Sequence, residues 1–229
     1  MKPFVVSILF VILVAGISKK SFGQESKKPD TVDNKYYISI SPLGLLDFTD
    51  GSSIRMSADA RIYKRISISA EAGFYTSLGN FFSFKDDPRG LIIKPALKYY
   101  FNKKKIFFGP FITLEYQYKQ QVYRASDSIK IDGMAPYYRK NYEMTRYINC
   151  INAKYGVVSN ITKRIVLEWF VGAGIRFFNS ATELTQQEYD NMITGEGHGN
   201  SAEAGFSRTV GKHIYPNITA GVKLGLRVF

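Results

Sequence analysis

Apolar and polar residues alternate one for one along most of this chain. Ile54, Met56, Ala58, Ala60 and Ile62 share one face of an extended segment, and Arg55, Ser57, Asp59, Arg61 and Tyr63 share the other. The same period of two recurs over Ile66–Tyr75, Leu91–Tyr100, Phe108–Gln117, Ile151–Val157, Ile165–Phe177 and Ile218–Val228. A weaker copy lies near Tyr36–Ser41. Such alternation marks strands with one face on apolar surroundings. Eight strands follow.

The connections alternate in length. Loops are expected near Pro42–Ser53, Gly79–Gly90, Gln120–Tyr142 and Asn179–His213, and tight turns at Lys64-Arg65, Asn102–Lys105 and Ser159–Arg164. Strict alternation of long and short connections predicts an all-β fold, an eight-stranded antiparallel up-and-down transmembrane β-barrel. Pro95, Pro110 and Pro216 each lack a ladder donor, so bulges or strands running beyond the bilayer are expected there. Aromatics gather near strand ends at Tyr63, Tyr99-Tyr100-Phe101, Phe107-Phe108, Tyr116, Tyr118 and Phe177-Phe178, which suits interfacial girdles.

The N-terminus departs from this pattern. Lys2, the apolar run Phe4–Ile17 and the small residues Ser21 and Gly23 read as a cleaved signal peptide, residues 1–23. The run is too short for a spanning helix. Residues 24–34 read as a flexible periplasmic tail and 35–229 as the barrel. Cleavage would remove Lys2, Lys19 and Lys20 from a chain of net charge +12, leaving it basic. Cys150 is the only cysteine and His198 and His213 the only histidines. Neither a disulfide nor a multi-cysteine metal site can form, and no metal or cofactor is expected.

The glycines and the charges favour one choice of outward face. The apolar face carries no charge, and a charge at mid-bilayer costs roughly 2–4 kcal/mol. Gly73, Gly109, Gly156, Gly172, Gly174, Gly221 and Gly225 fall on the polar face. Small residues are needed where long side chains crowd a narrow lumen. The polar face is therefore expected inside. It carries Asp59, Glu71, Glu115 and Glu168 together with Arg55, Arg61, Lys94, Lys98, Lys119, Lys154, Arg176, Lys223 and Arg227. Each acid should touch at least one base, because buried charges need partners. The basic surplus reads first as hydrated rim residues and second as an anion-binding lumen.

With these features in place, the chain resembles the small outer-membrane β-barrel proteins of Bacteroidota, a mostly uncharacterised family. The segments that carry the resemblance are Ser21-Phe22-Gly23-Gln24, Lys94–Phe101, Phe108-Gly109-Pro110-Phe111 and Leu224–Phe229. The resemblance implies localisation in the cell outer membrane and contact with its lipids and lipopolysaccharide. It also implies insertion by the barrel assembly machinery, which reads a terminal aromatic residue. Phe229 supplies one, out of phase with Leu226 and Val228.

No motif points firmly to chemistry. Some eight-stranded outer-membrane barrels hydrolyse lipid A through a His-x-Ser-Asn motif. Here His198-Gly199-Asn200-Ser201-Ala202-Glu203 has a different spacing and lies in a loop. A nucleophile and its base need fixed geometry, so a hydrolase centred on His198 and Ser201 is the alternative and a non-enzymatic reading the expectation. A third reading is a soluble periplasmic barrel with an apolar ligand. Thr182–Met192, with Leu184, Tyr189 and Met192 at helical spacing, reads as a short helix that offers an acidic contact or is simply solvated. The basic loop residues Lys85, Arg89, Arg124, Arg139 and Lys140 are candidates for lipopolysaccharide phosphates. An unknown protein partner would meet the external loops, and export argues against nucleic acid.

Overall fold

The computed structural model describes residues 36–46, 51–78, 86–102, 107–131, 134–192 and 209–228. The expected signal peptide and tail, the His198–Ser201 segment and Phe229 lie outside these residues.

Eight strands form one up-and-down antiparallel sheet that closes into a barrel. They are β1 (Tyr36–Ile40), β2 (Ser53–Tyr63), β3 (Ile66–Tyr75), β4 (Asp86–Tyr100), β5 (Gly109–Ile131), β6 (Met134–Asn160), β7 (Ile165–Thr182) and β8 (Gly211–Val228). A 3-10 helix, Pro42–Leu46, follows β1, and one short helix, α1 (Gln186–Asp190), follows β7. Closure comes from β1, which pairs Tyr36 with Val228 and Ile40 with Leu224. Pairs can be followed from Ile40 through Met56, Ala72, Ile93, Tyr118, Asn149, Phe177 and Ile214. The path returns to the first strand displaced by about ten residues, a shear that tilts the strands strongly against the barrel axis.

The side chains alternate as the pattern predicts. In β3 the burial follows the period without a break from Ser67 to Tyr75, with Ser67, Ser69, Glu71 and Gly73 inside and Ile68, Ala70, Ala72 and Phe74 outside. The interior is thus the polar face. Glycines occur where large interior side chains leave no room. A Cβ at Gly225 would strike the Tyr37 ring, and one at Gly221 the Phe170 ring. Gly109 differs from the other polar-face glycines. Its Cβ would find space, and its φ of +84° gives the reason for glycine at that turn.

Four expectations need correction. First, Gln120–Tyr142 is no loop. β5 runs to Ile131 and β6 starts at Met134, so the two strands form a long hairpin rising beyond their neighbours. The sequence obscures this because the alternation changes sense. Below, Ile112, Leu114 and Tyr116 are exposed and Thr113, Glu115 and Gln117 are buried; above, Arg124 is exposed and Tyr123, Ala125 and Ile129 are buried. A search for one consistent apolar face stops at the reversal. Likewise β7 continues to Thr182 and β4 already begins at Asp86.

Second, the prolines make no bulges. The register shifts fall at Arg61/Tyr63, Asp86/Arg89 and Lys130/Ile131. Tyr100 N donates to Arg65 O, so even-numbered nitrogens of β4 face β3 and that of Pro95 faces β5. There the pairing passes from Ile93–Tyr118 to Ala96–Glu115 in unchanged register. Pro110 sits at the very start of β5. For Pro216 the bond from Arg227 N to Arg164 O fixes the parity. Its nitrogen faces away from β7, toward β1. On that side β8 pairs only over Leu224–Val228, and among the described residues Gly211–Lys223 has no second strand. Proline thus occupies an open edge, where its missing donor costs no ladder bond.

Third, Tyr100, Phe107 and Phe178 do not belong to an outer girdle. They are buried: in β4 and β7 period two sends Tyr100 and Phe178 inward, and Phe107, in the turn before β5, packs its ring against Tyr37 and Tyr100. Fourth, the Thr182–Met192 segment is not simply solvated. Leu184 is buried, and Tyr189 and Met192 are half-buried, against Tyr123, Ile129, Tyr142 and Met144 on the inner face of the hairpin. The segment crosses that face as a strap, bonded by Glu183 N to Glu143 O at one end and by Lys130 N to Asn191 O at the other.

If the hairpin is strand up to its tip, the peptide bond after Arg124 should resist limited trypsin in the folded parent. Leu184→Ala removes the strap's buried anchor at a cost of about 2–5 kcal/mol. It should expose that bond first. Rapid cleavage of the parent at Arg124 would mean that the segment is a loop after all.

Candidate functional site

The barrel interior is stacked in layers. At the short-turn end Tyr37, Tyr100, Phe107, Phe111, Val158 and Val166 form an apolar floor. Tyr37 and Tyr100 both lie within 6 Å, centroid to centroid, of the Phe107 ring. Above the floor lies a belt of paired charges. Lys98 Nζ sits 2.8 Å from Asp59 and 2.9 Å from Glu168, so one ammonium joins β2, β4 and β7. Glu71 receives Lys94 at 2.8 Å and Lys223 at 2.7 Å. Glu115 receives Lys154 at 2.6 Å. Each of the four acids meets at least one lysine.

Polar neighbours and rings complete the belt. Lys223 also donates to Ser57 Oγ, which shares a hydrogen bond with Ser39. Asn152 donates to Glu115 and accepts from Asn217. Lys154 Nζ lies 4.5 Å from the centroid of Phe170 and Lys98 Nζ 5.1 Å from that of Phe111. A ring face is a favourable neighbour for a desolvated cation. Between these side chains remains a void of about 10 Å³, lined by Glu71, Glu115, Glu168 and the four lysines. That is room for about one water. The belt fills the lumen.

The remaining basic residues lie above or below the belt. Arg55 donates to Ser53 Oγ on the side of the 3-10 helix. Arg227 donates to Phe107 O and Asn160 Oδ1 at the floor, a backbone carbonyl and a side-chain amide. Arg61 faces inward near the short-turn end, half-buried, and Lys119 is buried above the belt. Arg176 is half-buried, in register with Cys150 and Tyr215. Higher still, Arg146 is fully buried, stands 5.0 Å from the Phe178 ring and donates to Ser180. His213 and Tyr215 stack on Phe178. His213 is thus part of an aromatic stack.

Sequence reasoning misses Tyr37, Ser39, Ser57, Asn152, Asn217 and Arg146. Their signal is present, since each occupies an inward position at period two. The uncharged ones carry no mark beyond that position, however, and Arg146 falls where the alternation has reversed.

A second surface lies on the outer hairpin. α1 begins with Thr185 as N-cap, whose hydroxyl accepts from Glu188 N while Glu188 accepts from Thr185 N. The Glu188 carboxylate also receives Lys140 and the Tyr138 hydroxyl, both from β6. The Lys140 ammonium foremost, and then the Thr185 amide, hold that carboxyl down at about 2. In turn, the Lys140 ammonium is stabilised upward by Glu188. One side chain thus caps the helix and fastens the strap. Arg89 bridges Asp87 at 3.6 Å and Glu143 at 3.5 Å, while Arg124 and Arg139 are exposed on the outer face. Lys85 lies outside the described residues.

No protein-family model, no curated protein and no solved structure matches the chain.

Two outcomes follow from this geometry. Lys98→Met strands Asp59 and Glu168 together, and loss of a buried partner costs about 3–5 kcal/mol. The urea midpoint of unfolding should fall, and adding Asp59→Asn and Glu168→Gln should recover most of it. An unchanged midpoint in the single variant would remove the belt as a determinant of stability. The strap should respond to acid. Glu188 is depressed below its ordinary value of 4.5, so its contribution is complete above that pH and is lost as the pH falls toward 2. Hydrogen exchange should show the amides of Lys130 and Glu183 losing protection across that window in the parent, with no such window in Glu188→Gln.

Proposed function

We propose that the chain is an integral outer-membrane β-barrel that acts through the surface it raises above the membrane, without catalysis and without an open pore. The observation that carries this reading is the reversal of polarity within single strands. Over the barrel proper, charged side chains are buried and Ile38, Met56, Ile68, Phe74, Leu114, Val171, Ile175, Ile218 and Leu226 are exposed. A water-soluble barrel hydrates its charges and buries its apolar residues. Here the arrangement is opposite, and it ends at a defined level. One row of outward positions reads Ile93, Tyr118, Asn149, Phe177 and Ile214. The next reads Leu91, Gln120, Tyr147, Asn179 and Lys212. Above it Arg124 pairs with Glu143.

The height of the apolar band fits the bilayer. On β7 it runs from Ile165 to Phe177. At ~3.3 Å per residue and a tilt of ~40° that is roughly 30 Å, close to the hydrocarbon thickness. The paired, filled lumen supports a role other than conduction. The hairpin and its strap then stand among lipopolysaccharide headgroups, with Arg124 and Arg139 available to their phosphates or to a protein partner. Entry through the barrel assembly machinery and kinship with small Bacteroidota barrels are parts of the same proposal.

Ile218 is 84% exposed, and Ala173, its partner across β7, is exposed beside it. Arg at either position should meet hydrocarbon, at roughly 2–4 kcal/mol near mid-depth. The heat-modifiable folded fraction in outer-membrane preparations should drop for both. A Ser128→Arg control on the hairpin should match the parent. Equal folding of all three would overturn the membrane reading.

A further inference from the structure

The two ends of the barrel differ in charge. Among the described residues, every acid outside the belt sits at the long-loop end: Asp86, Asp87, Asp127, Glu143, Glu183, Glu188 and Asp190. Among the described residues, the short-turn end has no acidic side chain. Lys64 and Arg65 form the turn between β2 and β3, Lys163 and Arg164 lie in the turn between β6 and β7, and Arg227 closes β8. The sequence from Tyr99 to Pro110, which includes the third turn, contains no acid either.

These cations share one level. Arg227 N bonds Arg164 O at 2.9 Å, which brings the end of β8 to the β6–β7 turn. Arg65 O accepts from Tyr100 N, which brings the β2–β3 turn to the end of β4. Lys64, Lys163 and Arg164 are exposed. Just beneath them stand exposed apolar and aromatic side chains, Tyr63, Phe101, Ile161 and Ile165. Arg65 donates to the Tyr99 hydroxyl at 2.7 Å, with its guanidinium above that ring. Amphipathic rings settle at the boundary of hydrocarbon and headgroups. Cations one step further out then reach the phosphate level with their stems on apolar surface.

We propose that the short-turn rim is a docking ring for the phosphodiester headgroups of an anionic phospholipid leaflet, phosphatidylglycerol being the simplest representative. Arginine meets such a group through two parallel donors and lysine as a point charge. The acidic long-loop end offers no such ring, so the preference is sided. This inference rests on the membrane reading above.

The test uses the full chain, folded into nanodiscs of equal phosphatidylcholine and phosphatidylglycerol, with retained lipids counted by native mass spectrometry. The parent should keep phosphatidylglycerol about fivefold over phosphatidylcholine, the factor that about one well-placed cation supplies. The triple variant Lys64→Gln, Lys163→Gln, Arg164→Gln should fall to near parity, and so should its Glu counterpart. Arg139→Gln at the opposite end should match the parent. A folded parent without headgroup preference, or a triple variant that keeps the parent's preference, overturns the proposal and leaves the membrane reading intact. Failure of the parent to enter either lipid overturns both.

Discussion

A closed ring of eight strands has an interior only wide enough for side chains, and here that interior is polar. Everything else follows from pairing the charges it holds. Lys98 is the central contact, because a single ammonium answers Asp59 and Glu168 from three strands. A buried ion pair is weak evidence for net stability, since desolvation offsets much of the Coulomb gain. Its strength lies in the penalty for any other arrangement. A register slip of one residue would carry Lys94, Lys98, Lys154 and Lys223 to the outer face and bring isoleucines inward. The belt therefore fixes the alternation, and the glycines at Gly221 and Gly225 give the rings of Phe170 and Tyr37 the space to sit against it.

The seam between β8 and β1 is the least secured part of the wall. β1 is five residues long, and the chain then turns into the 3-10 helix. An apolar medium penalises unpaired backbone groups. Pro216 removes one donor from the upper edge of β8, and Ser41 N bonds Arg55 O where the chain leaves the ladder. The long hairpin solves the opposite problem. Its two strands outrun their neighbours, and a two-stranded ribbon is marginal by itself. The strap covers its inner face with Leu184, Tyr189 and Met192, and Glu188 fastens the strap to Lys140.

Polarity inside and outside changes twice along β5 and β6. Below, the chain buries charge and exposes aliphatic residues. Above, it buries Tyr123, Ile129 and Tyr142 and exposes Arg124 and Arg139. One continuous strand thus meets two surroundings. A functional reading in terms of a surface lifted clear of the membrane depends on that change, and the filled belt beneath it keeps the surface and the opposite rim separate. Among the described residues, the acids outside the belt lie at the long-loop end beside Arg89, Arg124, Arg139 and Lys140, whereas the short-turn end carries bases alone.

The sequence by itself determined the strand number, the inward face and the acids and bases that line it. Period two is a local property, and each strand states it independently. Neighbouring pairs such as Lys94 with Glu71 and Lys154 with Glu115 follow once adjacent strands are aligned. The sequence left open which charges meet across the lumen. Glu168 and Lys223 are register partners. Yet Lys223 reaches across to Glu71, and Glu168 takes Lys98 from β4. That choice depends on the curvature of the closed ring, which brings distant strands within a side chain's length. Tertiary structure also decided the length of the hairpin, the course of the strap and the edge that Pro216 occupies. Each depends on what a segment packs against, and a local pattern carries no record of its neighbours across the fold.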